Sequence, residues 1–177
     1  MKKNLSYLAI AMSLLAVAAC KKSDPKPDSS NGITFTINGN TYTEASSQYS
    51  VTDVSDESYA TLATEGKTSD GKRGILIFYF NRSTKPVAGT YTIVSDIKAG
   101  GANTVGILAE DNISKAKSGL YSSQTGTSAT VTVSSSGKLS IKFPSTAFKG
   151  TNFDNSDPTN TVTTNVDITA QGSAVEN

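Results

Sequence analysis

Thr130-Val131-Thr132-Val133-Ser134-Ser135-Ser136-Gly137-Lys138-Leu139-Ser140-Ile141-Lys142-Phe143 decides the fold. Two runs alternate apolar with polar residues, and a small-residue segment ending in glycine joins them. A period of two marks a strand with one buried face, and the joining segment makes the pair a hairpin. Val131, Val133, Leu139, Ile141 and Phe143 are expected on the buried face, and Pro144 is expected to end the second strand.

The same pattern recurs on both sides of this hairpin. Ile33-Thr34-Phe35-Thr36-Ile37 alternates strictly and runs into Asn38-Gly39, a strong turn signal because both residues tolerate positive φ. A return strand starts near residues 40–43. Residues 46–58 are polar and read as irregular, and residues 59–63 read as a strand. Gly74-Ile75-Leu76-Ile77-Phe78-Tyr79-Phe80 is apolar without alternation, which predicts a central strand covered on both faces. Residues 90–94 and 104–109 are further strands. Residues 110–118 have a composition that suits a helix but no periodic apolar face. Residues 148–160 read as a long polar loop. Val162, Thr164, Val166, Ile168 and Ala170 are expected on one face of a closing strand, with residues 171–177 fraying. Eight to ten short strands predict an all-β protein, an antiparallel β-sandwich with a barrel as the alternative.

Ahead of this body stands a different kind of segment. Lys2 and Lys3 precede an apolar run over residues 5–17, then Ala18, Ala19 and Cys20. Basic, apolar, small is the order of a secretory signal, and the apolar part is short for a membrane span. Residues 21–32 are charged, small or proline and read as a tether, reaching at most about 40 Å. The expected organisation is therefore a signal peptide over 1–19, Cys20 with a tether over 20–32, and one β domain over 33–177.

Composition then excludes chemistry. The chain has no histidine and no tryptophan, and Cys20 is its only cysteine. Histidine-dependent triads, imidazole metal sites, cysteine nucleophiles and disulfide frameworks are ruled out. Without Lys2 and Lys3 there are 14 basic against 15 acidic side chains, a balance that argues against nucleic acid as partner. Leu, Ile, Val and Phe number only 31 beyond residue 19, so the core must be thin and partly built on threonine.

Leu15-Ala16-Val17-Ala18-Ala19-Cys20 resembles the lipobox of bacterial lipoproteins. That resemblance implies cleavage before Cys20, its lipidation and attachment to a lipid bilayer, where more than one acyl chain gives stable anchoring. Lys21 at the next position, in place of aspartate, implies the outer membrane. Lys21-Lys22-Ser23-Asp24 partly resembles the surface-export signal of Bacteroidota lipoproteins, which leaves the membrane face undecided. The Phe-Thr-Ile-Asn-Gly opening, the Ala-Gly-Thr-Tyr-Thr-Ile-Val strand and the Gly-Lys-Leu-Ser-Ile-Lys-Phe hairpin together resemble small β-rich Bacteroidota lipoproteins of unassigned function.

Three groups of residues carry candidate chemistry. Asp154 and Asp157, in Asp154-Asn155-Ser156-Asp157-Pro158-Thr159-Asn160, are a weak calcium candidate, since the ligand order of an EF-hand is missing and these are ordinary turn residues. Glu44, Glu57, Glu65 and Glu110 could in principle pair for glycoside hydrolysis, but no spacing pairs them. Tyr42, Tyr49, Tyr59, Tyr79, Tyr91 and Tyr121 could stack on a sugar; Tyr79 and Tyr91 lie in apolar strands, and Tyr49, Tyr59 and Tyr121 read as freer. No cofactor and no catalytic residue is expected. The first reading is a non-enzymatic envelope module for a protein or glycan partner. The second is an interaction protein pairing with an outer-membrane partner, and the third a carboxylate hydrolase.

Overall fold

A computed structural model describes residues 33–177, except 55, 56, 115 and 158 and the side chains of 44, 45, 54 and 113. The signal segment, Cys20 and the tether lie outside the described residues. Among those described, the chain forms ten strands and a single 3-10 turn, Ile97–Ala99. The strands are β1 (Phe35–Ile37), β2 (Asn40–Val54), β3 (Glu57–Lys67), β4 (Arg73–Phe80) and β5 (Gly89–Val94). They continue with β6 (Thr104–Ser114), β7 (Lys117–Ser123), β8 (Ser128–Val133), β9 (Leu139–Asp157) and β10 (Asn160–Val175). The expected all-β class is present.

All ten strands join one sheet in the order β10-β1-β2-β3-β4-β6-β5-β8-β9-β7, with further ladders β10–β9 and β6–β7. The sheet folds over an apolar interior so that its layers oppose one another, as in a sandwich. Phe78 of β4 meets Phe143 of β9 edge-on across that interior at 5.6 Å. Every ladder is antiparallel except β5–β6, which is parallel. That exception lets β6 fork: its first residues pair with β5 and its later ones with β7. Ser123 closes the fork, its hydroxyl accepting from Ile107 N at 3.0 Å and donating to Val94 O at 2.9 Å.

The first turn forms as its residues dictate. Asn38 and Gly39 both take positive φ, 50° and 78°, which matches the twist of a two-residue hairpin. The interior is filled by alternate residues such as Phe35, Leu62, Leu76, Val105, Ile107, Val131 and Ile141. On the opposite face of β4, Ile75, Ile77 and Tyr79 join Tyr59, Ile97 and Leu108 in a second cluster. Burial on both faces explains why this strand is apolar without alternation.

Several expectations are corrected. Residues 46–54 and 57–58 are strand, because hydroxyl pairs replace apolar ones: Ser47 with Thr64 and Ser50 with Thr61, each at 2.7 Å. The window over 110–118 contains the end of β6 and the start of β7, held by ladders to β4 and β9. Pro144 does not end β9. It sits where residues 144–145 oppose only Gln171, a bulge that needs no ladder N–H from proline.

The polar segment 148–160 is mostly strand, and β9 and β10 form a long hairpin turning near Asp157. Because this hairpin outruns its neighbours, Val162 and Thr164 are exposed, whereas Ile168 and Ala170 are buried. Val133 shares the face of Val131, Leu139, Ile141 and Phe143 and stands opposite Leu139, but at the end of its ladder it is 38 % exposed instead of buried. Residues 171–175 continue β10, and Ala174 is fully buried. Glu176 secures this end, accepting from Leu139 N at 2.9 Å and pairing with Lys85 Nζ at 2.7 Å.

Candidate functional site

The inner face of β6 runs Val105, Ile107, Ala109 and then Asp111, whose side chain is fully buried. Alternation along the strand carries this carboxylate inward. The Tyr42 hydroxyl donates to its Oδ1, and Asn40 Nδ2 donates to Oδ2 at 3.1 Å. Tyr121, also fully buried, donates to Asn152 Oδ1 at 2.6 Å. The Tyr42 ring stacks on Phe35 and lies so close over Gly74 that a Cβ there would meet ring carbon Cε1 at 2.5 Å. One end of the interior is thus a polar plug of two phenols, a carboxylate and two amides.

Burial, then the hydrogen bond to Asp111, holds the Tyr42 hydroxyl far above the ordinary tyrosine range. Burial first, and the Asp111 charge second, pushes Tyr121 up to about 12. A folded pKa above the unfolded one favours the fold below the unfolded value and ceases to do so as pH rises through the folded one. The expected result is loss of melting temperature from about pH 10 upward, the unfolded tyrosine range. Tyrosinate absorbance should rise together with unfolding. Full ionisation of all body tyrosines near pH 10 with the fold intact would contradict this plug.

The glutamates are arranged differently. Glu65 of β3 and Glu110 of β6 both stand opposite Ile75 of β4, one row on the outer face. Two strand spacings put their backbones about 9.6 Å apart. Ile75 stands between them on that face, buried in the outer cluster. Glu65 is committed to a two-pronged pair with Arg73, Nη2 to Oε2 at 2.6 Å. Burial pushes the Glu110 carboxyl up, against the pull of Asn112, whose Nδ2 donates at 3.0 Å. Glu57 lies at a distance from this row, bonded to Tyr59 and paired with Lys98 at 3.3 Å. Glu44 belongs to β2, with its side chain outside the described residues. The row therefore holds an ion pair and an apolar residue where a two-carboxylate mechanism needs an open gap.

Asp154 and Asp157 are spent locally. Asp154 accepts from Ser156 N at 3.0 Å and pairs with Lys117 Nζ at 2.9 Å; hydrogen bonding from the Ser156 side chain first, then Lys117 and the Ser156 backbone, holds its carboxyl down to about 2. Asp157 accepts from Thr159 N at 2.9 Å and Oγ1 at 2.7 Å. The lysine already occupies the charge that a cation would seek. Among the described residues no group of three or more Asp, Glu, His or Cys lies together.

The tyrosines do not form a surface. Tyr42, Tyr59, Tyr79, Tyr91 and Tyr121 are all buried, which corrects the freer placement of Tyr59 and Tyr121. Tyr49 is half-buried under Lys85, whose Nζ sits 4.9 Å from its ring centre. What the surface does offer is the β9–β10 hairpin. Residues 160–165 are exposed one after another, on both faces of the strand. On the side away from β9, β10 pairs with β1 only through residues 170–172. Among the described residues no ladder occupies that side of residues 160–168.

No family model matches the chain, and no curated protein or solved structure matches it either. Among the described residues, no helix is long and apolar enough to cross a membrane.

Proposed function

We propose that the chain is a lipid-anchored lipoprotein of the bacterial outer membrane, held by acylated Cys20 and acting as a non-enzymatic binding module. The structural observation that carries this reading is the contrast between a filled body and an exposed hairpin. The interior ends in a buried polar plug, the outer carboxylate row is filled by Ile75 and Arg73, and residues 160–165 stand clear on a strand edge that is bare among the described residues. Burial of the tyrosines removes the flat stacking surface a sugar would use and favours a protein partner. Bare backbone groups on an edge strand suit recognition by strand addition. The apolar segment ending at Cys20 and the twelve-residue polar tether after it supply attachment and reach.

Cys20→Ala tests the anchor. The variant should run at precursor size, lack acyl label and leave the detergent phase on phase partitioning. Protease shaving of intact cells then assigns the face: loss of the body in shaved cells places it outside. A Cys20→Ala protein still acylated and of mature size would refute the anchor.

A further inference from the structure

We propose that the bare edge of β10 pairs with the same edge of a second copy, giving a symmetric dimer centred on Thr164. The inference rests on the binding-module reading and names the partner that its exposed hairpin takes. The open edge spans residues 160–168, about 30 Å of strand. It is bounded on one side by the turn after Asp157, where Thr159 N and Oγ1 both bond Asp157. On the other side it is bounded by β1 and by the bond from Asn38 N to Thr169 O at 2.9 Å. Thr164 is its midpoint, so only an antiparallel pairing centred there uses the whole edge of both copies.

The sequence is complementary to itself in that register. Val162 falls opposite Val166 of the second copy, and Val166 opposite its Val162. Thr163 meets Asn165 in the same reciprocal way, and Thr161 meets Asp167. Cross-strand pairs of like kind contribute when their side chains share a face. The register places Val162, Thr164 and Val166 on one face, with Asn160 opposite Ile168 at its ends, and Thr161, Thr163, Asn165 and Asp167 on the other. It covers Val162, which is 52 % exposed and one of only four large apolar side chains exposed among the described residues.

The edge carries few of the devices that keep strands apart, a lone charge at Asp167 and a ladder irregularity between Asn160 and Val162. Residues 160–168 contain no lysine, arginine or proline. Elsewhere in the same hairpin Lys149 and Pro144 stand on β9, which already has partners on both sides. A symmetric contact of this kind is self-limiting, since each copy spends its one β10 edge.

Thr164→Cys in the full-length, membrane-bound protein is the test, because position 164 then faces its own copy. Oxidation of isolated membranes should convert most of this variant to a disulfide-linked species of twice the mass. Thr163→Cys should not link, since its copy lies diagonally at about 7–8 Å, too far for a disulfide. The natural sequence, with Cys20 alone, is the background control. Adding Val162→Asp to Thr164→Cys should cut the linked fraction at least about tenfold. It should leave the melting temperature within a few degrees, because this side chain is exposed in the single copy. Sedimentation of the detergent-solubilised natural protein should give two chains per micelle. A single chain per micelle with no linked species at 164 would overturn the dimer and leave the anchored binding module standing. Cross-linking of residue 164 to a different envelope protein would likewise overturn self-pairing, while supporting that broader reading.

Discussion

Ile141→Asp should abolish the cooperative fold of the body, whereas Lys142→Asp should leave it nearly unchanged. Ile141 is fully buried, with Val131 of β8 on one side and Ala174 of β10 on the other. Aspartate there removes an apolar side chain from the interior and places a carboxylate where no donor faces it. That costs at least about 4 kcal/mol, against total stabilities of about 5–15 kcal/mol for a domain. Lys142 points outward between Thr130 and Ser173, and an exposed exchange there should fall within about 0.5 kcal/mol. Val133→Asp should sit between them and closer to Lys142→Asp, since Val133 is partly exposed at the ladder's end. Thermal melts of the three purified variants decide the matter. Equal midpoints for Ile141→Asp and Lys142→Asp would mean that the register of β9 is inverted.

That contrast depends on a period that is visible in the amino-acid sequence, and most of the fold was legible where such a period exists. The β8–β9 hairpin, the Asn38-Gly39 turn, and strands β4 and β5 all show local patterns strong enough to identify. What escaped were strands whose pairing is long-range and whose side chains are polar. β2 is held against β3 by hydroxyl pairs such as Ser50 with Thr61, and serine and threonine in a row look like loop. The far halves of β9 and β10 are strand because they pair with each other, although few of their side chains are buried. Residues 171–177 read as a fraying end in the sequence, yet Glu176 ties this end to Leu139 and Lys85, partners 37 and 91 residues away.

The site was less legible than the fold. Ending β6 near residue 109 hid Asp111, although the inward series Val105, Ile107, Ala109 extended by two residues points to it. Its partners Asn40 and Tyr42 are 71 and 69 residues away, a separation that no local pattern reports. Glu65 and Glu110 share a row only because β4 lies between β3 and β6, and that strand order is a property of topology. The edge of β10 was hidden for the opposite reason. The alternation of Val162, Thr164, Val166, Ile168 and Ala170 marks one face of a closing strand, whereas the shortness of β1, three residues long, leaves most of that strand's side bare among the described residues.

Tyr42→Phe should cost about 3 kcal/mol, a loss of roughly 10 °C in melting temperature for a domain of this size. The substitution keeps the ring, its stack on Phe35 at 5.1 Å and its contact over Gly74. It removes only the hydroxyl, and with it the donor to Asp111 Oδ1. Among the described side chains, Asn40 then remains as the donor to that carboxylate, at 3.1 Å. An acceptor left buried without its donor costs far more than the net gain of the original bond. Asp111→Asn should cost less, because the phenol still finds an oxygen acceptor and no charge stays buried. The double variant Tyr42→Phe, Asp111→Asn should lose less than the two single losses added together, since the groups act as one unit. The natural body should lose stability above about pH 10 as Tyr42 and Tyr121 ionise, whereas Tyr42→Phe should show a shallower alkaline decline with one such phenol fewer. Additive losses with unchanged alkaline decline would mean that the plug is not a coupled unit.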